Sequence, residues 1–246
     1  MIVNSFRKRS NRCNYYNQSK KQKSQNADNN CESSQEEEDH SSQPVNFLDL
    51  LNSKQVTVYR KSNHIYFRDE VNDNTINKMG KLIDDILYEY DTLSLSLPNV
   101  TMQPKPIYLH ITTDGGSLFA GLMGADLILN SKIPVHTIVE GRAASAGTIM
   151  SIVGTKRYMT ANAYILIHQL SSIEHGNYEQ LKDGHKNNTQ LMKHINNLYS
   201  KHTKISKKEL NECLKHDVFW NFDKSLKVGL IDELYAPSMI YQPIDD

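Results

Sequence analysis

The sequence predicts an α/β fold of strand–turn–helix units on a mostly parallel sheet, with one long helix. Three observations carry that prediction. Two apolar runs, residues 107–111 and 135–139, each lead through a small-residue turn into a helical pattern. Successive units of this kind favour parallel strands with helices packed on them. Further on, Tyr178, Leu181, Leu191, Met192, Ile195, Leu198 and Tyr199 keep helical spacing with a broad polar remainder, which predicts one long amphipathic helix. Finally, the least foldable sequence is confined to the front of the chain, which leaves room for one large domain rather than two.

In chain order, residues 1–45 are rich in Asn, Gln, Ser, Lys and Glu. Such a segment has too few apolar side chains to offset the entropy of ordering. It is expected to be a disordered polar extension, with residues 46–246 forming the domain. Residues 56–59 and 64–67 read as short strands. Ile76, Met79, Ile83, Ile86, Leu87 and Tyr90 recur at helical spacing, and residues 91–105 look like a loop closed by Pro106.

The strand at 107–111 is followed by a turn at Gly115 and Gly116 and a helix over about 117–130, with Leu118, Leu122, Ala125 and Leu129 on one side. Pro134 opens the second unit. It comprises a strand at 135–139, a turn at 141–144 and a short helix over 145–153. Residues 157–159 and 164–167 add two strands, and the long helix runs from Tyr178 to His202. Ser206 and Glu209 have capping-box spacing for a helix through residue 215. A last short helix at 223–227 stops at Gly229, and Leu230 and Ile231 form a final extended piece.

Composition excludes several function classes. The formal net charge is zero, so no global field draws the chain to nucleic acid or an anionic membrane. Locally, Arg7, Lys8, Arg9, Arg12, Lys20, Lys21 and Lys23 precede Glu32 and the acidic run at 36–39; such blocks are usually solvated tails. Cys13, Cys31 and Cys213 have neither disulfide nor zinc-ribbon spacing, and a reducing compartment fits best. No window is long and apolar enough for a membrane span, and the start lacks the apolar core of a secretory signal. A cytoplasmic location is expected, with organelle targeting by the extension as a weaker reading.

The chemistry concentrates in the two turns. Ser145 lies in Ala143-Ala144-Ser145-Ala146-Gly147, where small neighbours permit a tight strand-to-helix turn that presents a hydroxyl as nucleophile. A free serine hydroxyl needs a base. His168 ends the apolar run YILIH, beside the strand that leads to Ser145. Asp217, ahead of Phe219 and Trp220, is the candidate carboxylate to orient the imidazole. The N–H groups of Gly116 and Ala146 are candidate oxyanion donors. Taken singly these features have ordinary readings: close helix–sheet packing, a packed histidine, a loop aspartate. Their combination and order point to acyl transfer.

Other chemistries find less support. The glycine pair lacks the later residues of a dinucleotide or P-loop fingerprint. His185, His194 and His202 lack zinc-protease spacing and read as a solvated helix face, and Cys213 reads as buried. No metal, nucleotide or other cofactor is expected in this chain. Nucleic-acid binding is likewise not expected.

At these residues the sequence resembles the ClpP family, the proteolytic subunits of ATP-dependent Clp proteases. The resemblance covers residues 64–234 and rests on IYLHITTDGGSLFAG, GRAASAGT, RYMTANAYILIHQ, KHDVFW and KVGLIDE. It implies a ClpP/crotonase-like fold whose long helix is a protruding handle between stacked heptameric rings. Ser145, His168 and Asp217 would be the triad, and Gly116 and Ala146 the oxyanion donors. Implied partners are unfolded polypeptides and an AAA+ unfoldase that delivers them, in a homo-oligomer of fourteen subunits. The sequence departs from the family pattern in a shorter turn before His168, in Leu170 and the segment SSIEHGN after it, in Arg142, and in His216. These departures leave open substrate preference and ring stacking. Two rival readings stand beside the peptidase: a non-catalytic ring subunit serving as scaffold, and a crotonase-type acyl-CoA enzyme.

Overall fold

A computed structural model describes residues 56–97, 99–100 and 103–236. The expected extension over residues 1–45 and its boundary at residue 46 lie outside the described residues. Strand β1 (Val58–Lys61) pairs antiparallel with β2 (His64–Phe67). Helix α1 (Asp73–Ser96) starts from a reciprocal cap between Asn72 and Thr75 and buries Ile76, Met79, Ile83 and Ile86. The loop expected over residues 91–105 is in its first part wrong, because α1 continues to Ser96. No glycine or proline interrupts the chain between Gly80 and Pro98, and the residue before a proline disfavours helical backbone. Helix propagation therefore outlasts the apolar stripe, leaving Leu93 and Leu95 exposed.

Strand β3 (Ile107–Thr113) lies parallel to β2 on one side and to β4 (Val135–Ala144) on the other. Between them runs α2 (Leu118–Leu129), whose first turn is capped by Ser117. The sheet order is β1-β2-β3-β4-β5-β8, with β5 at Lys156–Met159 and β8 at Glu233–Leu234. Leu109 and Ile111 on β3 and Ile65 and Phe67 on β2 are fully buried. Burying such side chains stabilises by about 1.5–3 kcal/mol each.

The residues expected to turn at 141–144 instead extend β4. Gly141 adopts φ +64°, and the β3–β4 pairing slips from Ile111↔Val139 to Thr113↔Ala143. This irregularity re-aims the strand. Its first half pairs with β5, whereas Arg142, Ala143 and Ala144 pair with β6 (Tyr164–Leu166). Helix α3 is accordingly short (Ala146–Ser151), with Ser145 outside it at the cap position.

Helix α4 (Tyr178–His202) begins at a reciprocal Asn177–Gln180 cap and buries only Ile195 and Tyr199. Its first half is largely exposed, which matches the expected protruding helix. Helix α5 (Lys207–Cys213) has half of the expected capping box: Ser206 accepts from the Glu209 N–H, but the Glu209 carboxylate turns to Lys224 at 2.8 Å. Strand β7 (Phe219–Trp220), absent from the sequence reading, pairs antiparallel with β6. Helix α6 (Phe222–Lys227) follows. The last strand comes later than expected: Leu230 and Ile231 are buried ahead of it, and the pairing with β5 is made by Glu233 and Leu234.

Candidate active site

Parallel strands deliver the two turns to one edge of the sheet. After β3, Gly115 and Gly116 take φ +101° and +143°, values that L side chains rarely adopt. The Val71 N–H donates to the Gly115 carbonyl at 2.7 Å, and the Ser117 N–H to the Val71 carbonyl at 2.8 Å. A Cβ on Gly116 would collide with that Val71 oxygen, and one on Gly115 would stand 2.6 Å from Ser145 Cβ. Missing side chains thus let the first turn lie against both the strap formed by the Val71 backbone and the second turn.

The second turn is strained. Ser145 has φ +53° and ψ −124°, a conformation costing about 1–3 kcal/mol in a non-glycine residue. Its N–H donates to the Leu166 carbonyl at 3.0 Å, and its carbonyl accepts from the Thr148 N–H at 3.0 Å. The side chain makes no capping bond to α3, so the hydroxyl is left for other partners. Among the described residues, no acceptor takes the Gly116 or Ala146 N–H.

Register explains where the other two side chains fall. In the antiparallel β6–β7 ladder Ile165 faces Trp220 and Leu166 faces Phe219. Continuing that ladder by two residues sets His168 opposite Asp217, on the same side as the Leu166–Phe219 pair. The Gln169 N–H to Leu214 carbonyl bond, 2.8 Å, holds the two segments together beyond the strands. His168 Nδ1 lies 3.5 Å from Asp217 Oδ1, with the histidine side chain 26% exposed and the aspartate 78%. This is an ion-pair distance, longer than a formed hydrogen bond.

Ser145 and His168 line one cleft of about 330 Å³ with Gly116, Ala146, Phe119 and Ile195. Among the described residues no hydrogen bond joins the two side chains. Contacts of this kind are often loose without substrate and tighten in the complex. At Gln169 and Leu170 the cleft adjoins a second hollow of about 630 Å³ along α4, edged by His185, Asn188 and Met192. The five residues singled out in the sequence therefore lie together, with Asp217 at the outer rim.

Sequence reading missed a tie between the turns. Arg142 grips Asp114 with two nitrogens, Nη2 at 2.6 Å from Oδ2 and Nε on Oδ1. The hydrogen bonds to Arg142 hold the Asp114 carboxyl below its ordinary range. Opposite charges 28 residues apart carry no local pattern, so only the β3–β4 pairing brings them together. Two expectations are corrected. His185 and His194 are exposed, but His202 is half-buried, its Nε2 is enclosed without a partner, and burial followed by the nearby Lys201 and Arg157 lowers its pKa. Cys213 is half-buried rather than buried, and desolvation pushes its thiol up. Among the described residues no group of three or more His, Cys, Asp or Glu is placed to hold a metal ion, and no helix is long and apolar enough to cross a membrane.

Fold and site define a class of α/β proteins with a serine on a strained strand-to-helix turn, facing a histidine from the neighbouring strand across a cleft. The chain belongs to the Clp protease family, whose profile matches residues 54–238. An ATP-dependent Clp protease proteolytic subunit of Deinococcus radiodurans is 34% identical over 132 residues. That match covers 53% of this chain and 65% of the relative's length.

Proposed function

We propose that the chain is a serine endopeptidase subunit that cuts unfolded polypeptides through an acyl-enzyme. One observation carries this reading: a strained, uncapped serine and a histidine share a cleft, and Nδ1 of that histidine lies 3.5 Å from a carboxylate. In the proposed reaction Ser145 Oγ attacks the scissile carbonyl carbon while His168 Nε2 takes the hydroxyl proton. Asp217 accepts from Nδ1–H, which fixes the tautomer and stabilises the imidazolium. The N–H groups of Gly116 and Ala146 receive the oxyanion. Collapse breaks the C–N bond as His168 returns the proton to the leaving amine. Water, deprotonated by His168, then releases the acid and restores the serine.

By likeness to the Deinococcus protein, the subunit would work in an ATP-dependent assembly. The proposed partners are an AAA+ unfoldase and further copies of this chain in stacked heptameric rings. Mixed rings with a related subunit are the alternative arrangement. The test is Ser145→Ala in the full-length chain, assayed on a short fluorogenic peptide. Turnover is expected to drop by about 10⁶ if the three side chains act as a unit. Hydrolysis persisting near the parent rate would remove Ser145 from its role.

A further inference from the structure

Directly beneath Ser145 lies a buried polar relay that the reaction scheme above does not use. Thr148, in the first turn of α3, is fully buried, and so is Tyr199 on α4, at 2% exposure. Thr148 Oγ1 donates to the Ser145 carbonyl at 2.7 Å, and the Tyr199 hydroxyl contacts that same Oγ1. A threonine hydroxyl has one proton. Because that proton goes to the Ser145 carbonyl, the Tyr199 O–H must be the donor to Thr148. Burial pushes the Tyr199 phenol well above its usual range, so it keeps its proton at any working pH. The relay runs one way, from Tyr199 to Thr148 to the Ser145 carbonyl.

The geometry points to Thr148 and Tyr199 as positioning residues that aim the Ala146 N–H at the developing oxyanion. This rests on the reading of Ser145 as nucleophile and deepens it. The Ser145 carbonyl and the Ala146 N–H belong to one peptide plane and point in opposite directions across a trans bond. Fixing the oxygen therefore fixes the hydrogen. Two donors from one residue, the Thr148 N–H at 3.0 Å and the Thr148 hydroxyl at 2.7 Å, hold that oxygen on the α3 side. The N–H is left to face the cleft. The same plane follows ψ −124° of a strained residue, which without an anchor would relax toward ordinary backbone. Buried hydrogen bonds that polarise one another make a stiffer anchor than a single neutral bond.

Sequence periodicity assigns Tyr199 to an apolar helix face, and Thr148 falls within the short helix expected over residues 145–153. Both residues are polar where an apolar side chain of similar volume would fill the space. That cost is understandable if the relay sets the direction of a catalytic dipole. Removing one oxyanion donor outright lowers kcat by about 10²–10³, so loosening its aim should cost less, on the order of ten-fold.

The test compares Thr148→Val, Tyr199→Phe and Thr148→Ser in the full-length chain, by steady-state hydrolysis of a fluorogenic peptide and by the rate of fluorophosphonate labelling. Thr148→Val should lower kcat about ten-fold or more with KM within two-fold, and slow labelling in parallel, because the phosphonyl oxygen uses the same donors. Tyr199→Phe should show a smaller loss of the same kind. Thr148→Ser, which keeps the hydroxyl, should recover most of kcat. Wild-type kcat in both Thr148→Val and Tyr199→Phe would overturn the inference while leaving Ser145 in place, and so would a Thr148→Ser loss as large as that of valine. Activity surviving Ser145→Ala would instead overturn the underlying reading.

Discussion

The edge of the sheet where β3 and β4 end differs in kind from the broad face formed across β1 to β4. At the edge, backbone carries the design: Gly115, Gly116 and Ser145 have positive φ, and small residues let two turns touch. On the face, side chains carry it. Tyr59 stacks on Tyr66 and Tyr66 on His110, with centroids 4.9 and 4.5 Å apart, and His64 stacks on Tyr108 at 4.8 Å. Buried His110 bonds Glu140 at 2.7 Å through Nδ1 and His64 at 2.9 Å through Nε2. An edge built from backbone leaves its N–H groups unspent and tolerates few changes of residue. A face built from side chains spends most of its polar groups on one another, His136 Nδ1 being enclosed without a partner, and should tolerate single losses.

The comparison breaks most sharply if edge substitutions prove mild. After Ser145→Ala the next largest loss is expected from Asp217→Asn, about 10³–10⁴ in kcat with the fold intact, measured by peptide hydrolysis and thermal unfolding. An effect below ten-fold would make Asp217 a rim residue without a tautomer-setting role. Gly116→Ala should follow. Its Cβ would strike the Val71 carbonyl at φ +143°, so about 1–3 kcal/mol of stability should be lost together with activity. An unchanged denaturation midpoint would show that the strap can move.

On the face, effects should be smaller and should depend on pH. Burial first, then His110 for His64 and Lys156 for His136, lowers the pKa of those two histidines, and His202 is lowered as well. The unfolded chain therefore binds more protons than the folded one below about pH 6.5. Stability contributed by the neutral rings is present above that value and is lost as pH falls through the window below it. Glu140 is held down chiefly by its hydrogen bond to His110. Its contribution is present above the ordinary carboxylate range and is lost at still lower pH. Thermal unfolding followed from pH 7.5 to 5.5 should show a falling midpoint, and His64→Gln with His136→Gln should flatten that slope. A midpoint rising on acidification would contradict the sign. The smallest change is expected from Tyr66→Leu, about 0.5–1.5 kcal/mol from lost ring pairing, with peptide hydrolysis within two-fold.

The two regions were also unequally legible in the sequence. Both strand–turn–helix units, the long helix and the five candidate site residues could be placed because glycine and small-residue turns punctuate strong apolar runs. The β6–β7 ladder was not legible, since two residues of strand carry no period, and yet its register brings Asp217 to His168. Extension of β4 through Arg142–Ala144 was hidden for a related reason: Gly141 reads as a turn until β6 supplies a partner. Contacts such as Arg142–Asp114 and Tyr199–Thr148 join residues distant in sequence and leave no local signature. Continuation of α1 past Tyr90 shows the opposite case, where a helix with no glycine or proline between Gly80 and Pro98 propagates beyond its apolar pattern.

The most direct measurement of the central claim is mass spectrometry of the full-length protein after reaction with a fluorophosphonate. A single adduct mapping to Ser145, lost in His168→Ala and slowed in Asp217→Asn, is the predicted result. An adduct on another residue, or labelling of Ser145 at the parent rate without His168, would contradict the claim that these side chains work as one nucleophilic unit.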